Sequence, residues 1–219
     1  MKTVNTVMSG MAALGMLLSG AAQAVNYSGF LDDYPMHPDP DRDGAMVYFK
    51  PGFSLAAYDK VMIAPITIFI HPESEYKAID PDEMKALTDS FYNALVEALE
   101  PDYPVVSKPG PGVILLRLAI TDVLLKKEKK KRGLLGYTPV GLAASAVKSA
   151  VSNNISLQEA VIEGEMSDAQ TGEVMGVLVD AEPHMTDATT EPSPEAILQS
   201  FKFYGERLRQ RMDAAHAGK

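Results

Sequence analysis

The chain has 219 residues, no cysteine, and 29 acidic against 20 basic side chains, for a formal net charge of -9. Disulfide staples, thiol nucleophiles and thiolate zinc sites are thereby excluded, and so is a general nucleic-acid binder, which needs a basic face for phosphates. With 46% hydrophobic and 22% charged residues and a mean hydropathy of -0.04, the composition is that of an ordinary globular domain able to bury a core, not of a collagen-like, coiled-coil or disordered chain.

Residues 1–24 read as an export signal. Lys2 gives a small positive start, Val7 to Gly20 is apolar, and Ala22-Gln23-Ala24 has the small-x-small pattern that precedes cleavage. The apolar run is about 14 residues long, short of the roughly 20 that a membrane-spanning helix needs. Leu18-Ser19-Gly20 resembles the start of a lipobox, but Ala21 occupies the position of the cysteine that would carry the lipid. The expected location is therefore periplasmic, without a lipid anchor.

Val25 to Pro51 is rich in Pro, Asp and Gly without a sustained period, which predicts an extended arm ahead of one domain spanning 52–219. Tyr58 to Ile70 follows as a β-branched strand, and Pro65 inside it predicts a bulge or a sheet edge. Asp80-Pro81-Asp82-Glu83 opens a helix, with Asp80 as N-cap and acids at the positive end of the dipole. Met84, Leu87, Phe91, Leu95 and Leu99 form its apolar stripe, and Pro101 closes it. Val105-Val106 reads as a short strand. After the turn 108–112, the run Val113 to Val123 is apolar enough for an inner strand covered on both faces.

Pro139 to Val151 is Ala-rich and helix-compatible. Leu157 to Ser167 and Val174 to Asp180 form a hairpin around the turn 168–172, whose Gly172 suits positive φ. Ser193-Pro194-Glu195 caps a last helix with Ile197, Phe201, Tyr204, Leu208 and Met212 on one face, while Arg207, Arg209 and Arg211 fall toward its negative end. The order β-α-β-β-(α)-β-β-α predicts an α+β fold. Its mixed sheet has about five strands and two or three packed helices, and its first β-α-β unit requires a right-handed crossover between parallel strands.

Four patches carry a resemblance: Tyr27-Ser28-Gly29-Phe30-Leu31-Asp32-Asp33-Tyr34, then Tyr58-Asp59-Lys60-Val61, then Pro109-Gly110-Pro111-Gly112 leading into Leu118 to Asp122, and finally Asp168 to Glu173. In this order they resemble the bacterial family catalogued as domain of unknown function 3313, which includes lipoproteins. The resemblance implies an envelope protein and assigns no reaction. The chain departs from those lipoproteins at Ala21, and has Tyr204 where the resemblance suggests Trp.

Lys126, Lys127, Lys129, Lys130, Lys131 and Arg132 form a basic run interrupted only by Glu128, followed by the apolar Leu134, Leu135 and Tyr137. Such a pairing suits an anionic lipid surface or an acidic envelope protein. It equally suits a solvated loop whose charge prevents edge pairing. Asp39, Asp41 and Asp43 with Gly44 match the opening of a calcium loop, but Lys50 stands where the bidentate Glu should be.

Alternation along 157–167 places Glu159, Glu163 and Glu165 on one face. A carboxylate row can serve acid–base hydrolysis; it is also the water-facing side expected of a hairpin. Arg117 and Asp122 on the inner strand suggest a buried ion pair, with a functional pocket as the alternative. The aromatic arm, Tyr27, Phe30, Leu31 and Tyr34, reads as a cover for an edge of its own sheet or as a docking strip. The four histidines lack helical metal spacing, and no phosphate or dinucleotide fingerprint is present. The functional expectation is a cofactor-free binding or accessory module of the cell envelope. An envelope hydrolase and an oligomeric assembly subunit are the alternatives.

Overall fold

Pro65 has no amide hydrogen to give to a ladder, and the strand around it divides in two. The computed structural model describes residues 28–74, 81–127, 155–181 and 194–218. Within them, β1 is His37–Pro38, β2 Ala45–Phe49, β3 Lys60–Ile63, β4 Thr67–Ile70, β5 Val113–Lys127, β6 Ile155–Asp168 and β7 Val174–Asp180. Two long helices accompany them, α1 (Pro81–Leu99) and α2 (Pro194–Ala217).

The sheet runs β1-β2-β7-β6-β5-β3, and β4 lies end to end with β3 along the same outer side of β5. Both β3 and β4 pair with β5 in parallel, with Val61 beside Ile114 and Ile68 beside Ile120. The long β5–β6 pair and the β6–β7 hairpin are antiparallel. The expected α+β class with a mixed sheet holds, but the described residues form seven strands where about five were expected.

Two of the additional strands come from the arm. Ala45-Met46-Val47-Tyr48-Phe49 pairs with β7, and β1 pairs with β2. This five-residue run alternates between the two sheet faces and is apolar on both, so it carries no period-2 signature. Conversely, Val105 makes only an isolated bridge to Val61. The expected helix over 139–151, the signal at 1–24 and both N-caps, Asp80 and Ser193, lie outside the described residues.

One face of the sheet carries both helices. Phe91 of α1 is fully buried and stacks on Phe201 of α2 with ring centroids 4.3 Å apart. Leu95, Ile120, Val123, Ile162 and Tyr204 surround this pair. Leu99, Tyr103, Ile114 and Met212 continue the core toward the other end. The helices cross closely because Gly205 has no side chain; a Cβ there would lie 2.9 Å from the Ala94 carbonyl oxygen.

The opposite face carries the arm. Leu31 packs on Val177 and Val179, with Phe30, Tyr34, Met36, Met46 and Tyr48 around them. The arm thus covers a face, not the edge that the sequence suggested.

Candidate functional site

Two carboxylates of the predicted row do not face water. Glu163 and Glu165 are 1% and 4% exposed, on the face that the arm covers. Glu165 Oε1 accepts from Arg117 Nη1 at 2.7 Å, and its Oε2 accepts from the Tyr34 hydroxyl at 3.3 Å. The Arg117 guanidinium also lies 5.1 Å from the centroid of the Phe30 ring, and Tyr34 stacks on Tyr48. Glu165 therefore pins the arm.

Glu163 Oε1 accepts from Thr121 Oγ1 at 2.7 Å, and its Oε2 makes no hydrogen bond among the described residues. The expected Arg117–Asp122 pair is not seen: Arg117 goes to Glu165, while Asp122 sits at φ 53° in a β5 bulge, 4.0 Å from the His71 ring. Glu163 and Glu165 are interior architecture, contrary to the water-facing side that alternation suggested, while the Glu159 side chain lies outside what the structure describes. Alternation fixes which residues share a face, but cannot tell which face is covered from elsewhere in the chain.

The opposite face holds a feature that the sequence reading missed. Gly164 on β6 and Gly176 on β7 both stand at helix-facing positions, where they pair with Leu118 and Leu178 and with Phe49 and Met166 respectively. The missing side chains let Leu118 lie against Gly164, and Phe49 and Met166 against Gly176. Above them, Leu95 of α1 and Leu208 of α2 close an apolar chamber of about 100 Å³. Arg207 and Arg211 of α2 line its rim and also line an open polar cleft of about 660 Å³. Isolated glycines in strand patterns were the available signal.

Behind the rim lies a buried ionic cluster. Asp39 is 5% exposed and accepts from Arg207 Nη2, and from Arg211 Nη2 at 3.2 Å. Asp180, fully buried, accepts from Arg42 Nε, and from the Tyr204 hydroxyl at 2.8 Å. Burial and the nearby Asp180 charge push the Tyr204 hydroxyl well above its ordinary pKa. Burial opposes the Arg42 charge, but Asp180 outweighs it and leaves the guanidinium pKa raised. Arg207 moves the other way, lowered first by burial and then by the Arg211 charge.

These partners bear on the sequence-predicted sites. Asp39 gives its carboxylate to two arginines and to the Asp41 amide, while Asp41 and Asp43 are exposed. The three do not converge on a common point, and among the described residues no group of three or more His, Cys, Asp or Glu could hold a metal ion. Arg207 and Arg211 face the cluster from within α2, which continues to Ala217, instead of serving its last turn. Arg209 turns away to Asp102 and the Ala98 carbonyl. Lys126 and Lys127 close β5, opposite Ser156 and Ile155. Lys129, Lys130, Lys131, Arg132, Leu134, Leu135 and Tyr137 lie outside the described residues, as do Ala22 and Ala24.

Three of the four resemblance patches meet at one corner. The Asp59 and Lys60 amides both donate to the Gly112 carbonyl, at 3.0 and 3.1 Å, and the Ala169 amide donates to the Val113 carbonyl at 3.1 Å. The Tyr58 hydroxyl donates to Asp168 Oδ2 at 3.2 Å. Asp168 Oδ1 accepts from the Gln170 and Thr171 amides, bonds that hold its pKa below the ordinary value. These patches build a turn-to-turn junction from main-chain bonds and the Tyr58–Asp168 contact.

Among known proteins, the chain is 27% identical over 192 residues to a protein of Escherichia coli K12 described as uncharacterized lipoprotein YdcL, covering 85% of this chain and 84% of that one. The same description and figures apply to its counterpart in Escherichia coli O157:H7. Solved structures with a loosely similar fold include the PelC dodecamer of Paraburkholderia phytofirmans, at a TM-score of 0.35 and 13% identity, covering 73% of this chain and 96% of that one. Another is a DUF4136 family protein from Bacteroides thetaiotaomicron, at 0.37 and 10%, covering 80% and 98%. The model of the protein family of unknown function DUF3313 matches residues 26–194, a span that takes in all four patches, and the chain belongs to that family.

Proposed function

We propose that this protein is exported to the cell envelope and works there by binding, as an accessory module. The observation that carries this reading is the state of the carboxylate row. Acid–base hydrolysis needs carboxyls in a cleft, reachable by substrate and water. Here Glu165 is held by Arg117 and Tyr34, and Glu163 by Thr121, both beneath the arm. Groups spent on internal hydrogen bonds under a cover support a structural role for the row.

The envelope location rests on the Lys2, Val7–Gly20 and Ala22-Gln23-Ala24 pattern and on the relative described as a lipoprotein. With Ala21 in the lipobox position, the mature protein is free in the periplasm. No described helix is long and apolar enough to cross a membrane. Contact with the envelope is made by the basic run Lys126 to Arg132 and by Leu134, Leu135 and Tyr137, which follow the end of β5. A basic cluster beside apolar bulk gains about 1 kcal/mol per cation near an anionic leaflet.

The test is crosslinking in intact envelopes, with a photoreactive residue at Leu134 and a second bait carrying Lys129→Glu, Lys130→Glu and Lys131→Glu. Lipid or lipopolysaccharide adducts that vanish in the charge-reversed bait are the expected result. A discrete protein band with the same charge dependence would replace the lipid surface with an acidic protein partner. No adduct above background would reduce the run to a solvated loop.

A further inference from the structure

We infer that the chamber between the sheet and α2 is a ligand site for the tip of a single aliphatic chain whose anionic head is held by Arg207 and Arg211. The site is separate from the basic run, and the inference does not depend on that run's role. Its floor is formed by Leu118, Phe49 and Met166, which settle over Gly164 and Gly176 where a Cβ would otherwise stand. A Cβ would meet Leu118 Cδ2 at 3.1 Å from Gly164, and Phe49 Cδ1 at 2.8 Å from Gly176. Away from Tyr204, Arg207 and Arg211 on its α2 side, a space walled by such groups offers water few polar partners, and its lining lacks dispersion contacts that a hydrocarbon would supply. A cavity of about 150 Å³ admits benzene; about 100 Å³ suits the end of a chain a few carbons long.

The rim supplies the other half of an amphiphile site. Arg207 and Arg211 are the partition between chamber and cleft, lining both. Both donate to the same oxygen, Asp39 Oδ2, so two guanidiniums share one carboxylate. Arg42 is taken up by Asp180. The remaining nearby acids are solvated: Asp41 Oδ2 is 4.0 Å from Arg211, with a side chain 76% exposed, and Asp43 is likewise exposed. At that exposure their attraction is largely screened. Among the described residues two buried carboxylates, Asp39 and Asp180, thus face three guanidiniums, of which Arg211 is part-exposed with Asp41 on its solvent side. An anion at the cleft end of the chamber adds a second partner for Arg211 and Arg207, whose side chains are 30% and 15% exposed.

Calorimetric titration of the purified protein with a straight-chain alkanoate series tests this. Affinity is expected to rise about fourfold per added methylene from butanoate to octanoate and then level off. Arg211→Gln is expected to weaken octanoate roughly tenfold and to leave 1-octanol unchanged. Leu118→Phe, which fills the chamber, is expected to abolish binding without lowering the melting temperature. Should that variant not fold, the Leu118 and Leu208 methyl resonances of the wild type are expected to shift with octanoate.

Absence of chain-length dependence, octanol binding as tightly as octanoate, or unshifted methyls would overturn the inference. A free carboxylate and a membrane lipid share this chemistry. Octanoate that displaces the protein from phosphatidylglycerol vesicles assigns the chain to a lipid, and octanoate binding without displacement assigns it to a free acid.

Discussion

The two faces of this sheet are covered by different means. On one, α1 and α2 satisfy their own backbone hydrogen bonds and bring large apolar side chains, led by the Phe91–Phe201 stack, so packing alone holds them. On the other, the segment before β1 has little regular structure, and side chains must anchor it: Leu31 in an apolar seat, Tyr34 on Glu165, and Phe30 against Arg117. A cover whose hydrogen bonds are few opens at lower free energy than the body it covers. The helix face thus belongs to the global cooperative unit, and the arm face to a subsidiary one.

The largest expected effect tests the first half of that comparison. Phe91→Ala removes a fully buried ring and costs about 3–5 kcal/mol, lowering the melting temperature by roughly 10 °C for a domain of this size. Deletion of Val25 to Tyr34 is expected to cost less. It strips Leu31 and Tyr34 from Val177 and Val179, but its effect is capped by the free energy of docking the arm. Scanning calorimetry ranks the two. A deletion more damaging than Phe91→Ala would make the arm part of the global unit, and an unchanged melt would make it a free segment.

How much of this was legible depended on whether the deciding contacts were local. The α1 stripe from Met84 to Leu99, the break at Pro65 and the 168–172 turn each follow from a few adjacent residues, and each is where the sequence placed it. The burial of Glu163 and Glu165 was not legible, because Tyr34 lies 131 residues from Glu165 and nothing within the hairpin marks that face as covered. The same holds for Asp39, whose partners Arg207 and Arg211 lie 168 and 172 residues away. The chamber left a trace in Gly164 and Gly176, but only their shared face across β6 and β7 lets Leu118, Phe49 and Met166 settle there as one floor.

The glutamates give a finer test, with opposite signs two residues apart. Glu163 buries a carboxylate with one oxygen unpaired among the described residues, a costly arrangement. Glu163→Gln retains an acceptor for Thr121 and removes the charge, so urea denaturation is expected to show a gain of about 1 kcal/mol. Glu165→Gln weakens the bond from Arg117 and loosens Tyr34. Because Arg117 is 43% exposed, solvent screening limits the loss to about 1 kcal/mol. Two losses of equal size would mean that both carboxylates pin the arm.

The smallest effect separates the faces by pH. Tyr34 on the arm and Tyr204 under the helices each donate to a buried carboxylate, Glu165 and Asp180. Burial first, and then the carboxylate charge, raises both phenol pKa values above the ordinary 10.0, Tyr204 well above it. A folded-state pKa above the unfolded one means that the folded protein holds the proton more tightly. The resulting stability is complete below about pH 10 and declines as pH climbs toward the folded value. Tyr34 is the less shifted of the two and sits on the weaker cover, so alkaline titration is expected to release the arm before the helices. Hydrogen exchange would then rise at residues 28–36 while the α1 amides remain protected. Tyr34→Phe costs at most about 1 kcal/mol at neutral pH, for one hydrogen bond of 3.3 Å, and removes the early step. If 28–36 and α1 instead lose protection at one pH, in wild type and Tyr34→Phe alike, the two faces are a single cooperative unit and the arm is no separate cover.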